Sequence, residues 1–180
     1  MALTATIYNF ATQLADIDRG VYETLDLRMA RQPSETGEYM LMRFFAYCLE
    51  YAEGIAFTEG VAAGDEPAVL VRDATGRVTG WFEVGAPDAG RLHRGSKLAG
   101  RTAVYTHRPI RQVLSGLTGQ KIHRAAEIPI YAFEPAFVSE LADAVERRTD
   151  IALSITEREL YLDLNGRTYH TSVVEHRIPS

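Results

Sequence analysis

Three acidic residues, Glu38, Asp65 and Glu83, have the type and the surroundings to do chemistry. Glu38 lies three residues before Leu41 and seven before Phe45, so it extends the apolar stripe of a predicted helix. A carboxylate on such a stripe needs a partner, although in a first turn it also suits the helix dipole. Asp65 stands in Gly64-Asp65-Glu66-Pro67, just before a predicted hairpin, and Glu83 in Trp81-Phe82-Glu83-Val84-Gly85 on its returning strand. If Arg72 pairs with Arg77 across the turn, Glu83 falls opposite Glu66 or Asp65. Only one of those two can share its face, because side chains alternate along a strand. Two carboxylates on neighbouring strands, with a third from a packed helix, form a ligand set for Mg2+ or Mn2+. Such a cation generates hydroxide and neutralises charge on phosphate, which is what phosphodiester hydrolysis requires. Taken singly, Asp65 also reads as a loop carboxylate and Glu83 as an outward-facing residue. Were Glu83 structural instead, Arg43 on the long helix is its expected ion-pair partner.

The elements that must position these groups follow from periodicity. Leu3–Leu14 reads as a strand, and the alternation of Val21, Glu23, Leu25, Leu27 and Met29 with polar neighbours as a second strand paired to it. Ser34 is the expected N-cap of a helix over Glu35–Glu53, stopped by Gly54, with Leu41, Phe44, Phe45, Cys48 and Ala52 as its buried stripe. Ile55–Val61 is a short strand. Ala68–Arg72 and Val78–Val84 flank the turn Asp73-Ala74-Thr75-Gly76 as a hairpin. A helix then runs to about Arg101, followed by a strand over Thr102–Thr106, a helix over Pro109–Leu117 and a strand over Ile128–Phe133. Pro135–Arg148 reads as a helix, and strands around Asn165-Gly166 form a closing hairpin. This order predicts an α/β fold, a mixed β-sheet flanked by helices with β-hairpins towards both termini. No linker, repeat or low-complexity tract divides residues 1–180, which therefore read as a single domain.

The formal net charge of −5 argues against a protein that coats nucleic acid by bulk electrostatics, though not against a local basic patch. Lys97 and Lys121 are the only lysines among 19 basic residues, a bias that suits either an arginine-favouring genome or phosphate geometry. The single Cys48 excludes an internal disulfide and belongs to the helical core stripe. His93, His107, His123, His170 and His176 lack zinc-ligand spacing, and the glycines form no phosphate cradle. No apolar run is long enough to span a bilayer, and Met1–Tyr8 lacks the pattern of a signal peptide, so the expected location is cytoplasmic with no membrane association.

The order helix glutamate, aspartate, strand glutamate resembles the PD-(D/E)XK, or restriction-endonuclease-like, nucleases. A more extensive resemblance is to the YaeQ family. It is carried by Ala2-Leu3-Thr4-Ala5-Thr6-Ile7-Tyr8, Ala30-Arg31-Gln32-Pro33-Ser34-Glu35-Thr36, Asp65-Glu66-Pro67 and Trp81-Phe82-Glu83-Val84-Gly85-Ala86-Pro87-Asp88. These resemblances imply a nuclease-like core with Asp65 and Glu83 as metal ligands and Glu38 as an outer ligand or water-orienting base. The departures are equally specific. Gly85 replaces the signature lysine that orients the attacking water, and Gly64 replaces the signature proline. Some of those nucleases move the cation to the next helix, which here carries Arg91, Arg94, Lys97 and Arg101 within one arc. Arg91 and Arg94 are the expected phosphate contacts and Lys97 the candidate catalytic cation, although its helical angle points away from the apolar side. The same arc also reads as an ordinary solvated face. The expected activity is Mg2+- or Mn2+-dependent cleavage of DNA or RNA. The alternatives are a non-catalytic nucleic-acid-binding module that lost cleavage with the lysine, and a protein-interaction adaptor.

Overall fold

Alternation over the first thirty residues becomes a long antiparallel pair, β1 (Thr6–Asp16) and β2 (Val21–Arg31), in unbroken register from Thr6↔Arg31 to Asp16↔Val21. Phe10, Leu14, Leu25, Leu27 and Met29 form its inward face. The computed structural model describes residues 4–59 and 65–180. Leu3 of the first predicted strand, Gly60 and Val61 of the third, and Gly64 lie outside the described residues.

Helix α1 (Gly37–Leu49) starts at Thr36, whose side chain accepts from the Tyr39 backbone N–H, and not at Ser34. The later start has a local cause. Glu35 turns inward, where its carboxylate accepts from Arg43 Nε at 2.6 Å and Nη2 at 2.8 Å and from the Gln32 N–H at 3.2 Å. Residues Met40–Ala46 are all buried, as expected of a helix enclosed by protein on nearly every side. Gly54 is not its stop. With φ +89°, Gly54 lies so close to the neighbouring strand that a Cβ would sit 2.0 Å from the Arg72 carbonyl oxygen.

The remaining elements are β3 (Ile55–Phe57), β4 (Val69–Arg72), β5 (Val78–Val84), α2 (Ala89–Leu98), β6 (Arg101–Thr106), α3 (Ile110–Leu117), β7 (Pro129–Ala132), α4 (Pro135–Ala144), β8 (Arg148–Thr156), β9 (Glu159–Leu164), β10 (Arg167–Ser172) and β11 (Val174–Arg177). They form two mixed sheets where one was expected, in the orders β10-β9-β8-β1-β2 and β11-β7-β6-β5-β4-β3. The difference comes from β8, a strand outside the expected elements although its residues alternate, and from its parallel pairing with β1. Helix α4 ends at Ala144 and not at Arg148, and Ile151, Leu153 and Ile155 then alternate inward on a strand parallel to β1. The predicted helix to Arg101 likewise ends at Leu98, so Arg101 belongs to β6.

One main core joins the sheets. It combines Phe10 of β1, Leu27 of β2, and Ile151 and Leu153 of β8 with the buried face of α1. Phe137 and Leu141 of α4 complete it, together with Phe82, Ala103 and Tyr105 of the second sheet. A smaller core on the other face of the second sheet packs Leu92 of α2 and Val113 and Leu117 of α3 against Val104 and Ile130. Among the described residues no helix is long and apolar enough to cross a membrane.

Candidate functional site

Strand β5 runs between β4, antiparallel, and β6, parallel. Phe82 and Val84 face the main core, whereas Trp81 and Glu83 point to the opposite face, under α2. Asp88 caps α2 by accepting from the Arg91 N–H at 2.8 Å. Gly95 lets the helix settle on the sheet, since a Cβ there would lie 2.4 Å from the Trp81 ring. This approach carries Arg91 onto Glu83. Arg91 Nε donates to Glu83 Oε2 at 2.8 Å, Nη2 to Oε1 at 3.3 Å, and Nη2 also to the Glu66 carbonyl at 2.5 Å. Trp81 Nε1 donates to the same Glu83 Oε2 at 3.2 Å. The Glu83 side chain is 4% exposed and that of Arg91 25%. Burial pushes the Glu83 carboxyl above its ordinary pKa, while Arg91 and Trp81 pull it down. A guanidinium thus supplies the positive charge that a metal would supply at this carboxylate.

The other expected site residues are dispersed around this pair. Arg72 pairs with Val78 and not with Arg77, and a register shift between Val71 and Arg72 then sets Val69 against Phe82, so Glu83 lies one step beyond and neither Asp65 nor Glu66 is its cross-strand partner. Asp65 is 95% exposed and meets Arg94 Nη1 at 3.4 Å. Glu38 is half-buried on α1 and acts electrostatically on His107 at the end of β6. Lys97 is exposed on α2. Arg101 has left the helix for β6, where it holds Glu50 at 2.7 and 2.9 Å. Arg43 pairs with Glu35, not with Glu83. Among the described residues no three His, Cys, Asp or Glu side chains are grouped to hold a metal ion, so Glu38, Asp65 and Glu83 form no shared cradle.

Gly85 has φ +84°, a conformation that favours glycine. The Tyr39 ring packs against it, 3.5 Å from where a Cβ would lie. Burial first, then the Glu83 and Glu35 charges, raise the Tyr39 phenol pKa.

A broader signal lies outside these motifs. Residues 89–126 contain eight Lys and Arg, three His and no Asp or Glu, within a chain of net charge −5. They build α2, β6, α3 and the following loop, so that much of the layer outside the second sheet is basic. Arg94, Lys97, Arg108, Arg111, Lys121 and Arg124 are exposed there. His93 joins α2 to that loop by accepting from the His123 N–H at 3.0 Å. Burial, then the charges of Lys97, Lys121 and His123, hold the His93 pKa below its usual value. Counting acids along the chain finds this layer where motif spacing does not.

Fold and site together define a two-sheet α/β protein whose candidate acidic site is closed by an arginine and bordered by a basic layer. The family described as YaeQ protein matches residues 1–173, and the chain belongs to that family. It is 28% identical to the uncharacterized protein YaeQ of Escherichia coli (strain K12), covering 100% of both chains, and 28% identical to its Salmonella typhi counterpart, covering 90% of each. The crystal structure of the YaeQ protein from Pseudomonas syringae superposes with a TM-score of 0.85 at 31% identity, covering 95% of both chains. The Xanthomonas axonopodis pv. citri YaeQ structure shares the fold with a TM-score of 0.85 at 22% identity, covering 98% of this chain and 100% of that one.

Proposed function

We propose that this chain is a non-cleaving module that binds the phosphate backbone of nucleic acid through the layer built by residues 89–126. The observation that carries this reading is the concentration of eight Lys and Arg with no acid in that segment, most of them exposed. Phosphate contacts of this kind give affinity without sequence readout and make it depend on salt. The absence of cleavage follows from Arg91, which takes up the Glu83 carboxylate, and from Gly85, which removes the signature lysine. With Arg91 on Glu83 and no third carboxylate grouped beside it among the described residues, the site does not fit a Mg2+ or Mn2+ ion.

Fluorescence anisotropy with single-stranded and duplex DNA and RNA tests the proposal. Binding should weaken with salt, with a slope of log affinity on log salt of about −2 to −4 for the few cations one backbone can engage. Lys97→Glu with Lys121→Glu should lower affinity about tenfold or more. No nucleic acid should be cut with Mg2+ or Mn2+ present. Absence of binding at low salt overturns the proposal.

A second reading is a metal-dependent nuclease in which Arg91 is the migrated cation. The order α1-β3-β4-β5-α2-β6, with Glu38 on the helix and Glu83 on the third strand, favours it. Cleavage that disappears in Glu83→Gln would establish it in place of the first.

A further inference from the structure

On the far side of the second sheet from α2, a cavity of about 440 Å3 opens between the two sheets. Its walls come from the β1–β2 turn, the end of α1, strands β4 to β9 and Val173. Leu49, Val71, Phe82, Ile155, Leu160 and Val173 make it largely apolar. Of the polar groups that line it, Asp16 is taken up by Arg19 at 2.6 Å and Asp18 accepts from the Glu157 and Arg158 N–H groups, while Arg101 and Arg158 meet at Tyr131. Arg101 Nη2 donates to the Tyr131 hydroxyl at 3.1 Å, and the Arg158 guanidinium carbon lies 5.9 Å from the Tyr131 ring centre. Arg101 is fixed by Glu50, which is 8% exposed and also accepts from the Tyr105 hydroxyl. Arg158 is held by Glu175 at 2.9 Å.

We infer that this cavity binds a small monoanion, a carboxylate carried on an aromatic or branched apolar body, clamped between Arg101 and Arg158. Three features select that chemistry. The cavity has the volume and apolar lining of a small-molecule site with a few placed polar groups. Among the described residues, Nη1 of Arg101 and Nη1 of Arg158 carry no hydrogen bond, and guanidinium donors suit a planar carboxylate. Arg19 offsets Asp16, and Glu50, Glu175 and the nearby Asp18 already offset the charges of Arg101 and Arg158, so one negative charge is balanced better than two. The site shares only Arg101 and Tyr105 with the segment 89–126, and Arg158, on which its test rests, lies outside that segment.

Thermal unfolding of the full chain with indole-3-acetate, against indole-3-acetamide and tryptamine, tests the inference. The carboxylate should raise the melting temperature by about 5 °C at saturation, with the amide and the amine binding about tenfold or more weakly. Arg158→Gln, on a side chain that is 52% exposed, should abolish the shift and leave the unliganded melting temperature within about 2 °C. Thr79→Trp should also abolish it, by plugging the cavity wall without altering charge. No shift up to about 5 mM carboxylate, equal shifts with carboxylate and amide, or full shifts in both variants would each overturn the proposal.

Discussion

Replacing Arg91 with alanine leaves the Glu83 carboxylate under α2 with the Trp81 indole N–H as its remaining side-chain donor. Removing one partner of a buried pair typically costs about 3–5 kcal/mol, because the other charge stays desolvated. Arg91 is 25% exposed, so water can enter the vacated space, and the expected loss at pH 8 is at the lower end, about 3 kcal/mol. For a domain of this size that lowers the melting temperature by about 6–12 °C. The loss should depend on pH. Burial already holds the Glu83 pKa above its unfolded value, and removal of Arg91 raises it further. An acid with a raised native pKa binds its proton more readily when folded, so stability rises as pH falls through that pKa. The deficit of Arg91→Ala relative to wild type should therefore shrink between pH 8 and pH 5. Urea denaturation across that range measures it. A loss under about 1 kcal/mol at pH 8, typical of a surface pair, or a loss independent of pH, would refute the buried-pair argument.

Gly95→Ala should cost about 1–3 kcal/mol through overpacking against Trp81, partly offset by helix propensity. Because Trp81 is the only tryptophan, its emission should shift to the red as α2 lifts; an unchanged spectrum and stability would contradict the packing. Arg43→Met should lose about 3–5 kcal/mol by stranding Glu35, and adding Glu35→Leu should restore most of it. Additive losses in the double variant would show that the pair is not coupled. Gly85→Lys should cost about 1–2 kcal/mol at φ +84° and confer no Mn2+-dependent cleavage while Arg91 occupies Glu83. Appearance of cleavage would favour the nuclease reading.

The local parts of the fold were legible because local physics makes them. Alternation marked β1 and β2, turn chemistry marked the β4–β5 and β9–β10 hairpins, and 3–4 spacing marked α1. Asn165 and Gly166 both adopt positive φ in the last hairpin, which the short polar side chain of asparagine and the missing Cβ of glycine permit. The sequence also held Glu83 within its aromatic setting and the family resemblance. What it did not reveal depends on partners distant in the chain. Strand β8 is completed by β1 from the opposite end, and that pairing divides the strands between two sheets. The acidic site turned on strand register and one glycine. The pairing of Arg72 with Val78 and the further shift at Val71/Arg72 moved Glu83 away from Asp65 and Glu66, and the missing Cβ of Gly95 allowed α2 to bring Arg91 to it. Residue types therefore established which groups could ionise and where local elements form, while packing decided which charges meet, because a buried carboxylate takes the cation that the fold brings within reach.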